Sequence, residues 1–349
     1  MKGMKAVTTR VLTTATQDEF NNAVEQATEL LRKGETVAIP TETVYGLAAN
    51  AFDEAAIEKI FKAKGRPQDN PLIVHISDLS QLESVVLKTG DIHRKLAEAF
   101  WPGPLTIIFP KGKDVPECVT AGLDSVAVRM PAHKVAREII RKSGLPLAAP
   151  SANISGKPST TRAKHVFDDL NGKIPLIIDG GDCEVGVEST VVSVKANTIT
   201  VLRPGGITVE MLKDALPEAE ISVSDAVMRP LEKGEAAPSP GMRHKHYSPI
   251  AKVILCNGDE EKIVTFVNSH VGENAVFIGA EDICSKVNID KFVFSQGADG
   301  EAKYIFDFLR RADENGYNTV MVSLAENSGI GLAVNNRLLR AAGFEVLEL

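Results

Sequence analysis

Residues 36–76 constrain the fold more than any other stretch, because strand, turn and helix signals follow one another without a gap. Residues 37–39 form a short apolar run that is typical of a buried strand. Pro40 ends this strand, since proline cannot donate to a sheet ladder. A helical pattern covers 53–64, and a second apolar strand covers 72–76. This order predicts an α/β sheet with polar groups at its strand ends.

Cations gather where the predicted helix ends. Lys62, Lys64 and Arg66 fall within five positions, close to the hydroxyls and amides that flank the two strands. A helix C-terminus favours cations through its dipole, so solvated terminal charges are one interpretation. The other is an anion site built around Lys64 and Arg66, because the planar fork of an arginine suits phosphate and carboxylate groups.

The composition limits the class of protein. With 349 residues the chain is long enough for two domains, and 44% hydrophobic with 24% charged residues is ordinary for a globular protein. A formal net charge of −7 is not typical of proteins that coat nucleic acid. Basic residues nevertheless concentrate at 62–66, 129–142, 162–164 and 243–252. A local basic cleft in an acidic protein suits a small anionic ligand.

Targeting and cysteine patterns point to the cytoplasm. No apolar run approaches the roughly 20 residues that span a bilayer, and the first residues lack the apolar core of a secretory signal. We therefore expect no membrane partner. The four cysteines show no C-x-x-C pair, which argues against a zinc ribbon or a redox dithiol and favours reduced thiols.

Three segments are predicted. Residues 1–216 mix crossover helices with an antiparallel hairpin over 186–201, which predicts a mixed α/β sheet around a concave surface. Residues 217–249 are rich in Pro, Gly and charge, and are interpreted as a linker or as a lid over a ligand. Residues 250–349 alternate strands and helices, as in a small Rossmann-like parallel sheet.

Single residues leave alternatives open. The alternating pattern over 125–130 places Arg129 opposite an apolar face, as a site residue or as half of a buried structural ion pair. His75 is either a satisfied core histidine or a ligand-binding group.

The chain lacks a Walker loop, a Ser-His-Asp arrangement and a metal-binding motif. Cations, hydroxyls and amides suit positioning and charge stabilisation.

Six motifs together carry a resemblance to a known family. They are PTETVYGL (40–47), KAKGRPQDNPLIVHI (62–76), PSANISGKPSTT (150–161), GVESTVV (186–192), LRPGGIT (202–208) and SPGMRHKHYSP (239–249). Over roughly residues 15–250 the chain resembles the threonylcarbamoyl-AMP synthase family of the YrdC/YwlC type. The last motif and the C-terminal extension resemble its long form. The resemblance implies a YrdC-like twisted mixed sheet with a concave basic surface.

The resemblance also implies a reaction and partners. L-threonine, bicarbonate and ATP would give threonylcarbamoyl-AMP and pyrophosphate, feeding threonylcarbamoyladenosine modification of tRNA. Mg²⁺ is expected with the triphosphate, held mostly by phosphate oxygens and water. Further expected partners are the proteins that transfer the threonylcarbamoyl group, together with a weak direct contact to RNA.

The resemblance further implies the site residues, at the positions of this sequence that match those of the family. The threonine-binding positions are Thr43, His75, Arg129, Ala149 (through its backbone) and Ser189. The ATP-binding positions are Arg66, Asn70, Ser125, Ser151, Asn153, Ser159, Arg203 and Tyr247. Lys64 and Arg66 are the predicted catalytic residues, because two substrate anions within ~3–3.5 Å need fixed positive charge. No protein ligand for a metal is predicted.

Three other functions are possible alternatives for this sequence. A non-catalytic RNA-binding protein of the same fold is disfavoured by the net charge of −7 and by few aromatic residues for stacking. A hydrogenase-maturation enzyme that uses carbamoyl phosphate has a similar central domain, but it carries paired-cysteine zinc fingers that this sequence lacks. An inert scaffold leaves the Lys64 and Arg66 cluster unexplained.

Overall fold

The computed structural model describes residues 7–229, 246–294 and 297–349. Within these ranges the strands form one sheet of eleven strands and one of five. The strands are β1 Arg10–Thr13, β2 Val37–Ile39, β3 Gly46–Asn50, β4 Ile73–His75, β5 Leu105–Pro110, β6 Ser125–Arg129, β7 Leu147–Ala148, β8 Leu176–Asp179, β9 Thr190–Lys195, β10 Thr198–Arg203, β11 Glu220–Val223, β12 Lys252–Asn257, β13 Ala275–Ala280, β14 Asp290–Phe294, β15 Thr319–Ser323 and β16 Val346–Glu348. The helices are α1 Gln17–Arg32, α2 Glu54–Lys64, α3 Leu82–Val85, α4 Asp91–Phe100, α5 Glu117–Thr120, α6 Lys134–Ser143, α7 Ala163–Leu170, α8 Val209–Ala215, α9 Glu260–Asn268, α10 Glu281–Cys284, α11 Gly297–Glu314 and α12 Gly331–Ala341. Short 3-10 helices cover Leu79–Gln81 and Asp225–Val227.

Local capping explains where α1 begins and where α2 begins and ends. The Thr16 hydroxyl accepts from the Glu19 amide at 3.2 Å, and the Glu19 carboxylate accepts from the Thr16 amide at 2.9 Å. These two bonds form a capping box, for which Thr16-Gln17-Asp18-Glu19 has the required spacing. Asp53 caps α2, and Gly65 ends it with φ +61, a left-handed conformation that glycine adopts without strain. The predicted helix over 53–64 is confirmed to within one residue.

The first sheet is mixed, in the order β1-β8-β2-β3-β7-β4-β6-β5-β9-β10-β11. Parallel pairs such as β4–β6 and β5–β9 alternate with antiparallel pairs such as β2–β3 and β9–β10. Apolar side chains pack on both faces, with α1 and α6 covering one of them. The predicted mixed α/β sheet is therefore confirmed, including the hairpin that turns at residues 196–197.

The second sheet contains only parallel strands, in the order β14-β13-β15-β12-β16. Its core forms where α11 and α12 cover one face, while α9 and α10 pack on the other. Parallel strands need crossover connections, and these helices supply them. The predicted Rossmann-like parallel sheet is confirmed.

Four strands are not predicted by the sequence: β1, β3, β11 and β16. β3 reads Gly-Leu-Ala-Ala-Asn, which lacks the β-branched residues that mark strands. β1, β11 and β16 are the outermost strands of their sheets, where few contacts impose a pattern. In these cases pairing with a neighbouring strand decides the conformation, and local preference does not.

The predicted linker over 217–249 is only partly described. Its first part contributes β11, which pairs in parallel with β10 as the last strand of the first sheet. Residues 230–245, including the predicted lid residues Arg243, His244 and Lys245, lie outside the described residues. The domain boundaries at 216 and 250 therefore stay predictions.

Two general expectations concern membranes and thiols. In the described ranges, no helix combines the length and the apolar character that crossing a bilayer requires. Cys118, Cys183, Cys256 and Cys284 are all free, and all but Cys118 are buried. Burial raises the pKa of the Cys256 and Cys284 thiols to about 11, which makes them poor nucleophiles.

Candidate active site

One cavity in the described part of the chain collects most of the predicted site residues. Nine of them lie on its wall: Thr43, Arg66, His75, Arg129, Ala149, Ser151, Ser189, Arg203 and Tyr247. Five others lie outside the lining: Lys64, Asn70, Ser125, Asn153 and Ser159. The sequence thus predicts which motifs converge, whereas the structure separates the residues on the wall from those behind it.

The cavity crosses the face of β4 and β6. Side chains alternate along a strand, so Ile73 and His75 share one face of β4 and both line the cavity. On β6 the residues Val126 and Val128 belong to the apolar core, while Arg129 lines the cavity. The predicted alternation over 125–130 is confirmed. It leaves Ser125 on the same face as Arg129, at the opposite end of the strand.

Arg129 is held by the loop that follows β2. Its Nη2 lies 2.6 Å from Oε1 of Glu42, and its Nη1 donates to the Thr43 hydroxyl at 2.8 Å. Both charged side chains are buried. Burial favours the neutral form of Glu42, but the Arg129 charge outweighs this and holds the pKa of that carboxyl below its ordinary value. Arg129 is therefore both an ion-pair partner and part of the cavity wall.

His75 is a neutral hydrogen-bonding group. It is 3% exposed, and its Nδ1 lies 3.1 Å from the carbonyl oxygen of Ile73. Burial, reinforced by the charge of Arg129, lowers the pKa of His75 to about 3. The ring is thus satisfied in the core and also lies on the cavity wall, while its part in ligand binding stays a prediction.

Ser189 and Arg203 form a second cluster. Arg203 ends β10, and its Nη2 donates to the Ser189 carbonyl at 2.9 Å and to the Ser189 hydroxyl at 3.1 Å. The same hydroxyl lies 2.8 Å from the Thr106 hydroxyl. Burial lowers the pKa of Arg203 to about 10, so the guanidinium keeps its charge at neutral pH.

Arg66 lies on the wall next to the end of α2. Its Nη2 donates to the carbonyl oxygens of Asn70 at 3.3 Å and Pro71 at 3.2 Å, which accounts for the position of Asn70 behind the wall. Its Nε is buried and makes no hydrogen bond among the described residues. A buried donor of this kind costs about 1–3 kcal/mol unless it is satisfied, so an anion in the cavity would stabilise it.

Lys64 holds the loop after β7. Its Nζ donates to the carbonyl oxygens of Ser151 at 2.5 Å and Asn153 at 2.6 Å, and the side chain is almost completely buried. Burial, together with the charge of Arg66, lowers the pKa of Lys64. Lys62, in contrast, is exposed, so the interpretation as a solvated helix-terminal charge applies to Lys62 alone.

Asn153 and Ser159 also lie behind the cavity wall, where they bind neighbouring loops. The Asn153 amide donates to the carbonyl oxygens of Ile154 at 2.8 Å and Lys157 at 3.0 Å. The Ser159 hydroxyl donates to a carboxylate oxygen of Glu188. Both residues therefore shape the loops that carry the wall.

Tyr247 enters the wall from the second half of the chain. It is 2% exposed, and its backbone has φ +64, which is strained for a residue other than glycine. Its ring centroid lies 5.2 Å from that of Phe306 in α11 and 4.5 Å from that of His246. Packing against the second domain thus fixes a predicted ATP-binding residue in a conformation that the chain alone would avoid.

Three residues at the cavity were not assigned to the site from the sequence: Glu188 and His246, which lie on the wall, and Glu42, which pairs with the wall residue Arg129. The two carboxylates stand beside predicted residues in the PTET and VEST motifs. Charge balance is the signal that could have found them, because a buried arginine needs an anionic partner. Arginines outnumber carboxylates on the wall, so the cavity suits an anionic ligand.

Comparisons with known proteins agree with the motifs. The Sua5/YciO/YrdC family model, described as telomere recombination, matches residues 29–205. The model described as threonylcarbamoyl-AMP synthase, C-terminal domain, matches residues 207–343. Together the two models account for most of the chain.

Two curated relatives cover most of the chain and share a name. The threonylcarbamoyl-AMP synthase of Pyrococcus abyssi is 43% identical over 93% of this chain and 95% of its own length. That of Bacillus subtilis is 44% identical over 93% and 94%. A crystal structure of P. abyssi Sua5 complexed with L-threonine matches with a TM-score of 0.88 at 40% identity, over 98% of this chain and 99% of that one.

Proposed function

Because the chain belongs to the threonylcarbamoyl-AMP synthase family in its two-domain form, we propose that it makes threonylcarbamoyl-AMP and pyrophosphate from L-threonine, bicarbonate and ATP. The product would supply the threonylcarbamoyl group for tRNA modification, through partner proteins that transfer it. We place this reaction in the cytoplasm. The observation that supports it most is the convergence of Arg66, Arg129 and Arg203 on one cavity.

L-threonine would bind at the Arg129 end of the cavity. A guanidinium that is already oriented by Glu42 and Thr43 loses little freedom when it binds a carboxylate. The neutral ring of His75 and the Ser189 hydroxyl can form hydrogen bonds without adding charge. A relative crystallised with L-threonine supports this choice of ligand.

The reaction joins two anions. Carbon dioxide derived from bicarbonate forms a bond to the threonine nitrogen, which loses a proton, and a carbamate results. A carbamate oxygen then bonds to the α-phosphorus of ATP, while the bond from that phosphorus to the bridging oxygen breaks and pyrophosphate leaves. At an effective dielectric constant near 20, two unit charges 4 Å apart repel by about 4 kcal/mol. Arg66 and Arg203 would offset this repulsion on the phosphate side.

Mg²⁺ would enter with ATP. Among the described residues no group of three or more His, Cys, Asp or Glu side chains could hold a metal ion. Mg²⁺ usually keeps several waters and binds through substrate phosphates, which fits a wall rich in guanidinium and hydroxyl groups. We propose that the metal shields the triphosphate, while the arginines of the wall orient it.

The RNA-binding alternative predicts a different distribution of charge. Arg66, Arg129 and Arg203 are each at most 8% exposed. A nucleic-acid backbone is neutralised by cations that it can reach on an open surface. A weak RNA contact, if it occurs, would have to use other parts of the protein.

The decisive experiment is a pyrophosphate-release assay with each of ATP, L-threonine, bicarbonate and Mg²⁺ omitted in turn. We expect release only when all four are present. ATP turnover that needs neither L-threonine nor bicarbonate would refute the proposed function. Tight, salt-sensitive RNA binding without ATP turnover would favour the alternative.

A further inference from the structure

Arg337 reaches from the second domain to the back of the cavity wall. It belongs to α12 and is 1% exposed. Its Nε donates to Oε2 of Glu188 at 2.8 Å, and its Nη1 donates to the carbonyl oxygen of Pro204 at 2.6 Å. One guanidinium therefore binds two segments of the first domain at once.

Those two segments carry predicted substrate-binding residues. Glu188 precedes Ser189, and Pro204 follows Arg203. The backbones are in close contact, because a Cβ added at Gly205 would lie 2.2 Å from the Glu188 carbonyl oxygen. A small shift of either segment would therefore move Ser189 or Arg203.

Charge gives Arg337 a second role. Glu188 is buried beside two guanidiniums, those of Arg337 and Arg203. Burial alone would favour its neutral form, but these charges and the hydrogen bonds from Ser159 and Arg337 hold the pKa of Glu188 below its ordinary value. The ionised Glu188 carboxylate therefore attracts both Arg337 and Arg203.

We propose that Arg337 is a positioning residue for the cavity: it neutralises Glu188 from the second domain, so that Arg203 stays bound to Ser189 and keeps its place on the cavity wall. Without Arg337, Glu188 would draw Arg203 away from the Ser189 hydroxyl, because a buried carboxylate needs a cationic partner. This gives α12 a direct part in the site. The inference rests on the proposed function.

The test compares the steady-state kinetics of pyrophosphate release for wild type, Arg337→Met, Glu188→Gln and the double variant. We expect Arg337→Met to raise the KM for ATP and lower kcat/KM at least tenfold. In the Glu188→Gln background the same substitution should change kcat/KM less than about threefold, because no carboxylate is left to capture Arg203. A purely structural role would give equal losses in both backgrounds and would overturn the inference.

Arg162→Met is the matched control. Arg162 also forms an ion pair between the domains, with Nη1 2.9 Å from Oδ1 of the buried Asp307 in α11, but it does not line the cavity. We expect this variant to stay within about twofold of wild type. Equal losses in Arg162→Met and Arg337→Met would show that only domain docking matters, which also overturns the inference.

Thermal unfolding identifies variants that do not fold. If Arg337→Met alone gives no cooperative transition, the double variant is compared with Glu188→Gln, and a large difference between these two counts against the inference. If wild type itself releases no pyrophosphate in the presence of L-threonine, the proposed function fails and the inference falls with it. If wild type is active and Arg337→Met has the same kcat/KM, the inference is refuted and the proposed function stands.

Discussion

Glu42 and Arg129 form a buried ion pair, with 2.6 Å between Oε1 and Nη2. The two residues come from the loop after β2 and from the end of β6, so the pair joins the PTET motif to the cavity wall. The sequence leaves two interpretations of Arg129, a site residue or half of a structural ion pair. The structure shows the ion pair and places Arg129 on the cavity wall, where the carboxylate that neutralises Arg129 also orients it. Its part in ligand binding stays a prediction.

Glu42→Gln should lower the free energy of unfolding by about 3 kcal/mol, because breaking a buried pair leaves Arg129 without its counter-charge. Urea unfolding at neutral pH measures this. Glu138→Gln is the control, since Glu138 pairs with Arg141 on the surface, where the Arg141 side chain is 64% exposed. Its loss should stay below about 1 kcal/mol. Equal losses in the two variants would contradict the role assigned to burial.

Arg66→Lys should reduce kcat/KM for ATP by about 10–100-fold, although the positive charge is kept. A lysine cannot reproduce both the contacts to the carbonyl oxygens of Asn70 and Pro71 and the remaining Nε donor. Pyrophosphate release at varied ATP measures the effect. Lys62→Met serves as the control, because Lys62 is exposed at the end of the same helix. Full activity in Arg66→Lys would mean that charge alone suffices.

His75 should make stability depend on pH. Its folded pKa of about 3 lies below the ordinary value of 6.5, so the unfolded chain binds a proton that the folded protein does not. Stability is then highest above pH 6.5 and falls as the pH drops toward 3. Between pH 7 and pH 5, wild type should lose about 2 kcal/mol more than His75→Gln in urea unfolding. Identical pH dependence of the two proteins would show that His75 titrates normally when folded.

Gly205→Ala should impair activity through the backbone. The added Cβ would lie 2.2 Å from the Glu188 carbonyl oxygen and 2.4 Å from the Thr190 amide nitrogen, so the segments around Arg203 and Ser189 must separate. We expect at least a tenfold fall in kcat/KM for pyrophosphate release. Gly90→Ala is the control, because its Cβ would meet only the ring of His93, at 3.3 Å. Unchanged kinetics in Gly205→Ala would show that the close contact is not needed.

Much of the fold could be predicted because its signals are local. The capping box at Thr16, the cap at Asp53 and the break at Gly65 each act over a few residues, so periodicity and end signals locate α1 and α2. β3 could not be predicted in this way, because its sequence lacks the β-branched residues that mark strands, and neither could the short end strands β1, β11 and β16. Pairing with a neighbouring strand decides that these segments are strands.

In the candidate site, too, the motifs predict one part and tertiary packing decides the other. Its motifs contain most of the wall, since Arg129 and Ala149 are the lining residues that fall outside them. The motifs do not show that Nζ of Lys64 donates to the Ser151 and Asn153 carbonyl oxygens behind the wall. That contact depends on where the loop after β7 packs against the end of α2.

By itself, then, the sequence determined the helices with strong caps, the two classes of sheet, and the hydroxyls and cations available to the site. Tertiary structure alone decided which charges meet: Glu42 with Arg129, and Glu188 with Arg337, which lies 149 positions away along the chain. The reason is physical. A cap or a hydrophobic period is satisfied within one turn or strand, whereas a buried charge is satisfied by whichever partner the packing of distant segments brings to it.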